Sequence, residues 1–541
     1  MKNEKNLSLI GIVLIASAAL HAGMLATGYV QEDAFITFRT AFNFADHGVY
    51  SFNLDEQYPG ATSLFYGFFV ALIRYFAKES AIVIIGLTNI SFVLAGGYLL
   101  FLAVKKSWIF TSMKGNASLA IVLLSATASP ALLKISSSGM ETASLFFMFC
   151  LALWALSKNN LYVLCGSLAL LPFVRIDSAG FCLIAIACLF FQSKRQAVAA
   201  FLAFAAGFGL LLLFNTLVFD SVLPLTAKAK LIAFSPDRSI LAISETYLGI
   251  MFTKSFLLGV STKYIHSYVY VFIALTFLLP VALVLYRFYK NIFFLRTGIN
   301  INQSNSTKSS KILQYDLPVY VIAFATVLIP LGYSIGGIIF PWYLWSFSSL
   351  VFVLVIGFFL SRGPDNVIEY CCLALIACLA VTTIFININI SEQENRYRAS
   401  IGRFIKQISN PKDTLFLEPA GYIPFFSGIK TYDTVGLTSA KILKYHKQYR
   451  KEWWIRFVSS ETPSFIIDRS PIHLIKATED GGYSLTDAEY AWFMDNYVLE
   501  AAFNYEKYLD ANKTSLYGIH RLGSSSDYFL YKRKNGSIVS R

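Results

Sequence analysis

The sequence predicts a multi-pass α-helical membrane body of about 11 spans followed by a C-terminal α/β domain outside the cytoplasm. Three observations predict it. The 541 residues are 56% hydrophobic and only 14% charged, with a mean hydropathy of +0.57, whereas soluble domains carry about 25% charged residues. The apolar excess ends near Ile390, and from Ser391 onward 21 Lys/Arg and 17 Asp/Glu fall in 151 residues, an ordinary globular ratio. Before Ser391 the basic residues lie mostly in short segments between apolar stretches, as membrane topology requires.

The apolar stretches place spans at 7–29, 81–104, 117–133, 141–157, 160–174, 178–192, 197–218, 267–288, 317–338, 343–361 and 366–389. Several are short and fit a tilted or bundle-buried helix. The first follows Lys2 and Lys5 and is too long for a cleavable signal core, so it reads as a retained anchor. Residues 62–76 are apolar but rich in Phe and Tyr, the side chains that settle at headgroup depth. They read as an interfacial helix.

Loop charge supports that reading. With 62–76 in the interface, 14 of the 24 basic residues before Ser391 lie on the cytoplasmic side with four acids. The outer side holds ten basic residues and eleven acids. Making 62–76 a span would put the Lys-rich loops outside, against the positive-inside rule. The expected organisation is a membrane domain over 1–390, with external loops at 30–61, 134–140, 219–266 and 339–342, and an extracytoplasmic domain over 391–541. The N-terminus is expected in the cytoplasm. Gly298 to Ser310, rich in Asn and Ser, reads as a mobile cytoplasmic loop.

The net charge of +13 does not point to nucleic acid, because the cations are dispersed between spans. All seven cysteines lie in apolar stretches, which implies no disulfide framework in the C-terminal domain. The Asn-x-Ser/Thr triplets at Asn116 and Asn305 are weak signals.

Glu32-Asp33 is the most informative pair. Two adjacent acids at the mouth of a span are costly to desolvate and add little stability, which favours a functional role. Other ionisable and aromatic residues gather on the same expected side: Arg39, Glu141, Arg175, Asp177, Lys228, Lys230, Trp342 and Tyr343. Carboxylates there can take a proton, and Arg or Lys can clamp a phosphate. Plainer roles compete. Arg175 and Asp177 equally fit an ion pair at a tight turn. Glu141 fits a helix N-terminus, Lys228 a solvated loop, and Trp342 and Tyr343 interface anchors.

The order of these residues resembles the membrane-integral glycosyltransferases of the GT-C type, and within them the arabinofuranosyltransferase-like proteins of the bacterial envelope. Glu32-Asp33-Ala34-Phe35-Ile36-Thr37-Phe38-Arg39 is similar to that family's opening acidic pattern, with Glu in place of its first Asp. Asn43 to Asn53 resembles the stretch that follows there. Pro59-Gly60-Ala61-Thr62-Ser63 matches a family motif in part, and Ser138-Gly139-Met140-Glu141-Thr142 matches one closely. Arg175-Ile176-Asp177-Ser178 lacks that family's proline and glycine, and Leu223-Pro224-Leu225-Thr226-Ala227-Lys228 lacks its Asn. Glu418 to Gly428 and Asp433 to Thr438 resemble motifs of its external domain.

The resemblance implies transfer of a sugar from a polyprenyl-phosphate donor to a glycan, glycolipid or protein acceptor on the extracytoplasmic face, with inversion. It implies Asp33, or alternatively Glu32, as the base, and Arg39, Arg175 and Lys228 as donor-phosphate ligands. Glu141, Asp177, Trp342 and Tyr343 are then substrate contacts. Tyr422, Phe425 and Phe426 offer sugar-stacking faces, although core packing suits most of them. A divalent cation at the acidic pair is the cofactor that chemistry would admit, but no second ligand set is visible. The rival readings are a lipid-linked glycan ligase, a flippase and a transporter. Transporters commonly show internal repeats and midplane polar groups, and neither is evident here.

Overall fold

The computed structural model describes residues 2–56, 58–113, 115–233, 239–251, 267–297, 303–336, 340–362, 366–472, 485–511 and 525–534. Its contacts divide the chain into two compact units. The first comprises Met1–Thr27, Ile82–Leu212 and Asp237–Phe385, and the second Gly28–Ala81, Leu213–Pro236 and Ile386–Arg541. The loop at 30–61 and the helix after it therefore pack with the C-terminal segment.

The first unit is built of helices and the turns that join them among its described residues. Long continuous apolar runs favour helices, which satisfy every backbone group internally. Among the described residues, seven helical runs are long and apolar enough to cross a membrane: Ser8–Ala26, Leu64–Val104, Asn116–Ser137, Lys194–Phe219, Gln314–Gly336, Trp345–Arg362 and Asn366–Ile408. Three expected spans form shorter apolar helices, Thr142–Lys158, Leu161–Val174 and Ile176–Phe190. Another falls on the Ser267–Thr297 helix.

Two expectations are corrected. Residues 303–310 open the Gln303–Gly336 helix instead of forming a loop, because the apolar helix that follows propagates back through a polar but helix-compatible segment; residues 298–302 lie outside the described residues. Residues 134–137 are likewise helical, within Pro130–Ser137. Ser129 caps that helix by accepting from the Leu132 N–H, and proline occupies its first turn.

Three rings tie the helices that carry the polar residues. The Phe149 ring centroid lies 4.2 Å from that of Phe181 and 5.2 Å from that of Phe347, both pairs tilted. The contact joins Thr142–Lys158, Ala179–Phe190 and Trp345–Arg362. His21 is buried, with its ring nitrogens bonded to Ser136 Oγ and the Thr127 carbonyl, each at 2.7 Å.

The second unit holds a five-stranded sheet of β1 (Thr414–Leu417), β2 (Lys430–Asp433), β3 (Phe465–Asp468), β4 (Tyr497–Phe503) and β5 (Tyr528–Arg533), in the order β2-β1-β3-β5-β4. β1 is parallel to β2 and β3, and β5 is antiparallel to β3 and β4. Alternation along the central strands fills two cores. Leu415, Leu417, Phe465, Ile467 and Leu530 pack with the amphipathic Arg396–Ile408 helix. Phe416, Ile466 and Tyr531 pack with Trp454, Phe457 and Phe493. The segment is α/β, as expected.

The Leu64–Ala77 helix buries Leu64, Tyr66, Gly67, Val70 and Ala71 and exposes Phe65, Phe68, Leu72, Tyr75 and Phe76. Fourteen residues rise about 21 Å, short of the roughly 30 Å hydrocarbon layer. Lys78 then takes a positive φ of 45° before a 3-10 turn and the Ala81–Val104 helix.

Candidate functional site

The acidic pair divides its labour. Asp33 and Glu32 sit where the Ala34–His47 helix begins, with Asp33 at its N-cap position but without a side-chain cap bond. Glu32 is held from three directions. Its Oε1 accepts from the backbone N–H groups of Gly421 and Tyr422, both at 2.9 Å. Its Oε2 accepts from Arg398 Nη1 at 2.8 Å. The other arm of Arg398 meets Glu394 at 2.7 Å. Gly421 is required by close approach: a Cβ there would lie 2.2 Å from the Glu32 carbonyl oxygen. A carboxylate so saturated with donors suits an anchor, not a base.

Arg39, expected on a phosphate, is also engaged. Its Nε donates to the Phe52 carbonyl at 2.9 Å, and its Nη1 and Nη2 donate to the Pro424 and Ile429 carbonyls at 2.8 Å. Its guanidinium lies 4.5 Å over the Phe52 ring. Burial pulls it down to about 10, still charged at neutral pH. Arg39 thus ties the 30–61 loop to the segment before β2. Asn53 completes the tie, exchanging bonds with the Thr431 carbonyl and N–H at 2.9 and 3.0 Å.

Lys228 lies half-buried on the Leu225–Ala233 helix, and its ammonium has no ion pair or hydrogen bond among the described residues. Thr226 on the same helix meets Thr62 at 3.3 Å. Beyond the expected residues, Glu56 accepts from Ser439 at 3.2 Å, and its second oxygen is buried without a partner among the described residues. Burial pushes its carboxyl up. Asp433 accepts from the N–H groups of Leu437 and Thr438 at 2.7 and 2.8 Å, so the motif from Asp433 to Thr438 is a buried turn.

A cleft of about 560 Å³ in this unit is lined by Phe42, Asn43, Asp55, Lys412, Phe425 and Lys430, among others. Its size is that of a small-ligand site. Lys430 pairs with Asp55. Tyr422 is buried, whereas Phe425 and Phe426 are half-buried against Phe35 at 4.8 and 5.7 Å.

In the first unit Arg175, Glu141 and Asp177 converge. Gly139 makes this local geometry feasible: its φ of +74° turns the chain between Pro130–Ser137 and Thr142–Lys158, placing Glu141 at the second helix's start. Asn160 caps the Leu161–Val174 helix, which ends at an extended Arg175. Arg175 Nη1 meets Glu141 Oε1 at 2.9 Å, while Nε and Nη2 meet Asp177 at 2.9 and 2.6 Å. The Tyr343 ring centroid lies 4.4 Å from the guanidinium. Tyr333 donates to Asp177 Oδ2 at 2.5 Å.

The sequence-predicted residues are therefore brought together in groups. Glu141, Arg175, Asp177 and Tyr343 touch in the first unit. Glu32 and Arg39 are each bound to the segment 421–429 in the second. Arg398, Tyr333 and Lys134 were missed. Arg398 and Tyr333 carry no local signal. Lys134 did carry one, as a lone cation in the apolar run Leu132-Leu133-Lys134-Ile135. Among the described residues, no three His, Cys, Asp or Glu side chains form a metal-binding group, and Glu32's oxygens face donors.

A family model described as a domain of unknown function (DUF8728) matches residues 386–529, the sheet-bearing segment. No curated protein matches the chain. Among the solved structures that are similar to this chain, two share 10% identity with it. One is the apo oligosaccharyltransferase of Archaeoglobus fulgidus, with a TM-score of 0.49 over 86% of this chain and 70% of that one. The other is apo ArnT of Cupriavidus metallidurans, with a TM-score of 0.43 over 96% of this chain and 97% of that one. Likeness at this level transfers no function.

Proposed function

We propose that the chain is a membrane glycosyltransferase that moves a sugar from a polyprenyl-phosphate donor to an acceptor hydroxyl on the extracytoplasmic face of the bacterial inner membrane. The observation that carries this reading is the pairing of its motifs within each unit. Glu32 of the opening acidic pattern is held by Gly421 and Tyr422 of the external-domain pattern. Glu141 of the Ser-Gly-Met-Glu-Thr pattern is held by Arg175. Residues 34 and about 390 positions apart meet as partners, which scattered chance matches would not do.

Asp33 is the base in this reading, because Glu32 is already saturated. It removes the acceptor proton as the hydroxyl attacks the anomeric carbon; the bond to the phosphate oxygen breaks in the same step, inverting the centre. The departing polyprenyl phosphate keeps that electron pair and is stabilised by cations. Lys228 is the expected-site cation in the second unit whose charged group makes no hydrogen bond among the described residues, whereas Arg39 is spent on backbone carbonyls. The cleft beside Phe42, Asn43 and Lys412 takes the acceptor. The donor sugar is a pentofuranose or hexose; the family resemblance favours the former.

The test is transfer from a labelled polyprenyl-phosphate sugar by the purified full-length protein. Asp33→Asn should abolish transfer while the protein stays folded, and Lys228→Met should raise the donor KM roughly tenfold. Full activity in Asp33→Asn would remove the base. Cysteine labelling should reach residues 30–61 and the chain after Ser391 from the same side of the membrane.

A further inference from the structure

The cleft of the second unit carries more positive charge than its own acid answers. Arg39, Lys412 and Lys430 line it against a single carboxylate, Asp55, and Asp55 is already paired with Lys430. Arg39 gives its donors to the Phe52, Pro424 and Ile429 carbonyls, which satisfy its N–H groups without cancelling its charge. Lys412 stands exposed in the turn before β1, and its ammonium makes no ion pair or hydrogen bond among the described residues. The acids next in sequence do not line the cleft. Asp413 accepts from the Asn410 N–H at 2.7 Å, and Glu56 accepts from Ser439 at 3.2 Å. A concave wall of one sign, backed by low-dielectric protein, focuses the field and attracts anions.

The rest of the wall suits sugar rings better than a bare ion. Phe42 and Phe425 lie half-buried in it, with ring centroids 5.8 Å apart, and their apolar bodies match the C–H face of a sugar. Asn43 donates to the Ser51 and Phe52 carbonyls at 2.9 and 3.0 Å. Its Oδ1 takes no hydrogen bond among the described residues, which leaves an acceptor for a hydroxyl. The volume of about 560 Å³ admits a short oligosaccharide.

We propose that this cleft binds an anionic glycan, a short run of sugar rings that carries carboxylate or phosphate groups. Lys412 supplies the unpaired charge, Phe42 and Phe425 the apolar platform, and Asp55 limits the affinity by occupying Lys430. The proposal rests on the glycosyl-transfer reading only in taking that glycan as the acceptor.

The experiment is direct binding of four probes to the full-length protein in detergent: trigalacturonate, its neutral methyl ester, mannotriose 6-phosphate and triglutamate. An acidic trisaccharide should bind and should weaken as salt is raised, and the methyl ester should bind at least about tenfold more weakly than trigalacturonate. Preference for the carboxylate or the phosphate probe would identify the acid. Two exposed substitutions should act in opposite directions. Lys412→Glu should weaken binding about five- to tenfold, and Asp55→Asn, which frees Lys430, should tighten it about threefold. The opposed signs separate a charge effect from damage to the fold, which would weaken both. Equal binding of trigalacturonate and its methyl ester, unchanged affinity in Lys412→Glu, or weaker binding in Asp55→Asn would each overturn the site. Triglutamate bound as tightly as trigalacturonate would replace the glycan with an acidic peptide. Transfer to a neutral sugar, with no binding of either acidic trisaccharide, would sink this proposal and leave the enzyme reading intact. Lys412-dependent binding in a protein that transfers no sugar would do the reverse.

Discussion

Arg398 and Glu32 are 366 residues apart and meet at 2.8 Å, both largely buried. The pair joins the start of the Ala34–His47 helix to the first helix of the sheet-bearing segment. With the two backbone donors from Gly421 and Tyr422, it makes Glu32 a structural carboxylate and separates its role from that of Asp33.

The two acids should therefore respond differently to neutralisation. Glu32→Gln removes the charge that Arg398 faces and turns an acceptor into a donor. It should cost about 1.5–3 kcal/mol, the range for hydrogen bonds to charged groups. Asp33→Asn should cost less than about 1 kcal/mol while abolishing transfer. Unfolding midpoints measured beside transfer rates separate the two. A stable, active Glu32→Gln protein would refute the anchor.

Arg175 offers a sharper contrast. Arg175→Met would strand Glu141 and Asp177, both ion-paired to it now. Breaking a buried pair by removing one partner costs about 3–5 kcal/mol, so the variant should unfold far earlier or fail to accumulate. Tyr333→Phe removes one bond to Asp177 and should cost about 1–2 kcal/mol. Comparable losses in both variants would mean that the triad adds little.

Much of this architecture was legible in the sequence, and the reasons for the rest are physical. Hydropathy located the helices at Ala81–Val104, Lys194–Phe219 and Trp345–Arg362 because burial in lipid is a property of composition. The Arg175–Asp177 pair was legible because a single residue separates its members. Glu141–Arg175 and Glu32–Arg398 were not, since long-range pairing depends on packing that no local pattern records. Residues 303–310 were misread because Asn and Ser signal loops only when no helix continues through them. Lys134 was counted as an outer-loop charge, yet it is inside a helix.

His446 gives a pH signature. Its Nε2 bonds the Thr434 carbonyl at 2.8 Å, and its ring stacks 3.9 Å from Trp453. Burial holds its imidazole below the usual range, so the folded state binds fewer protons than the unfolded state just below the unfolded value of about 6.5. Its stabilising contribution is present above that value and is lost as pH falls through the folded pKa, with a slope of at most about 1.4 kcal/mol per pH unit. His446→Gln should flatten the stability difference between pH 7.5 and 5.5. An unchanged difference would show that His446 does not titrate across that window.

Gly421 is the point at which the anchor can be broken without touching a charge. Its φ of −95° lies outside the left-handed region. The cost is steric: the new Cβ would lie 2.2 Å from the Glu32 carbonyl oxygen and 2.5 Å from its Oε1. Neither atom is the end of a free side chain, because Oε1 is held by two amides. Glu32 must retreat, and Asp33, the next residue, moves with it. Overpacking of this kind costs about 1–3 kcal/mol. The reaction should suffer more than stability does, because displacing a base by about 1 Å can lower the rate about a hundredfold. Transfer rates and unfolding midpoints of Gly421→Ala, compared with Glu32→Gln, test the coupling directly. A folded Gly421→Ala protein with the wild-type rate would show that the position of Glu32 does not govern Asp33.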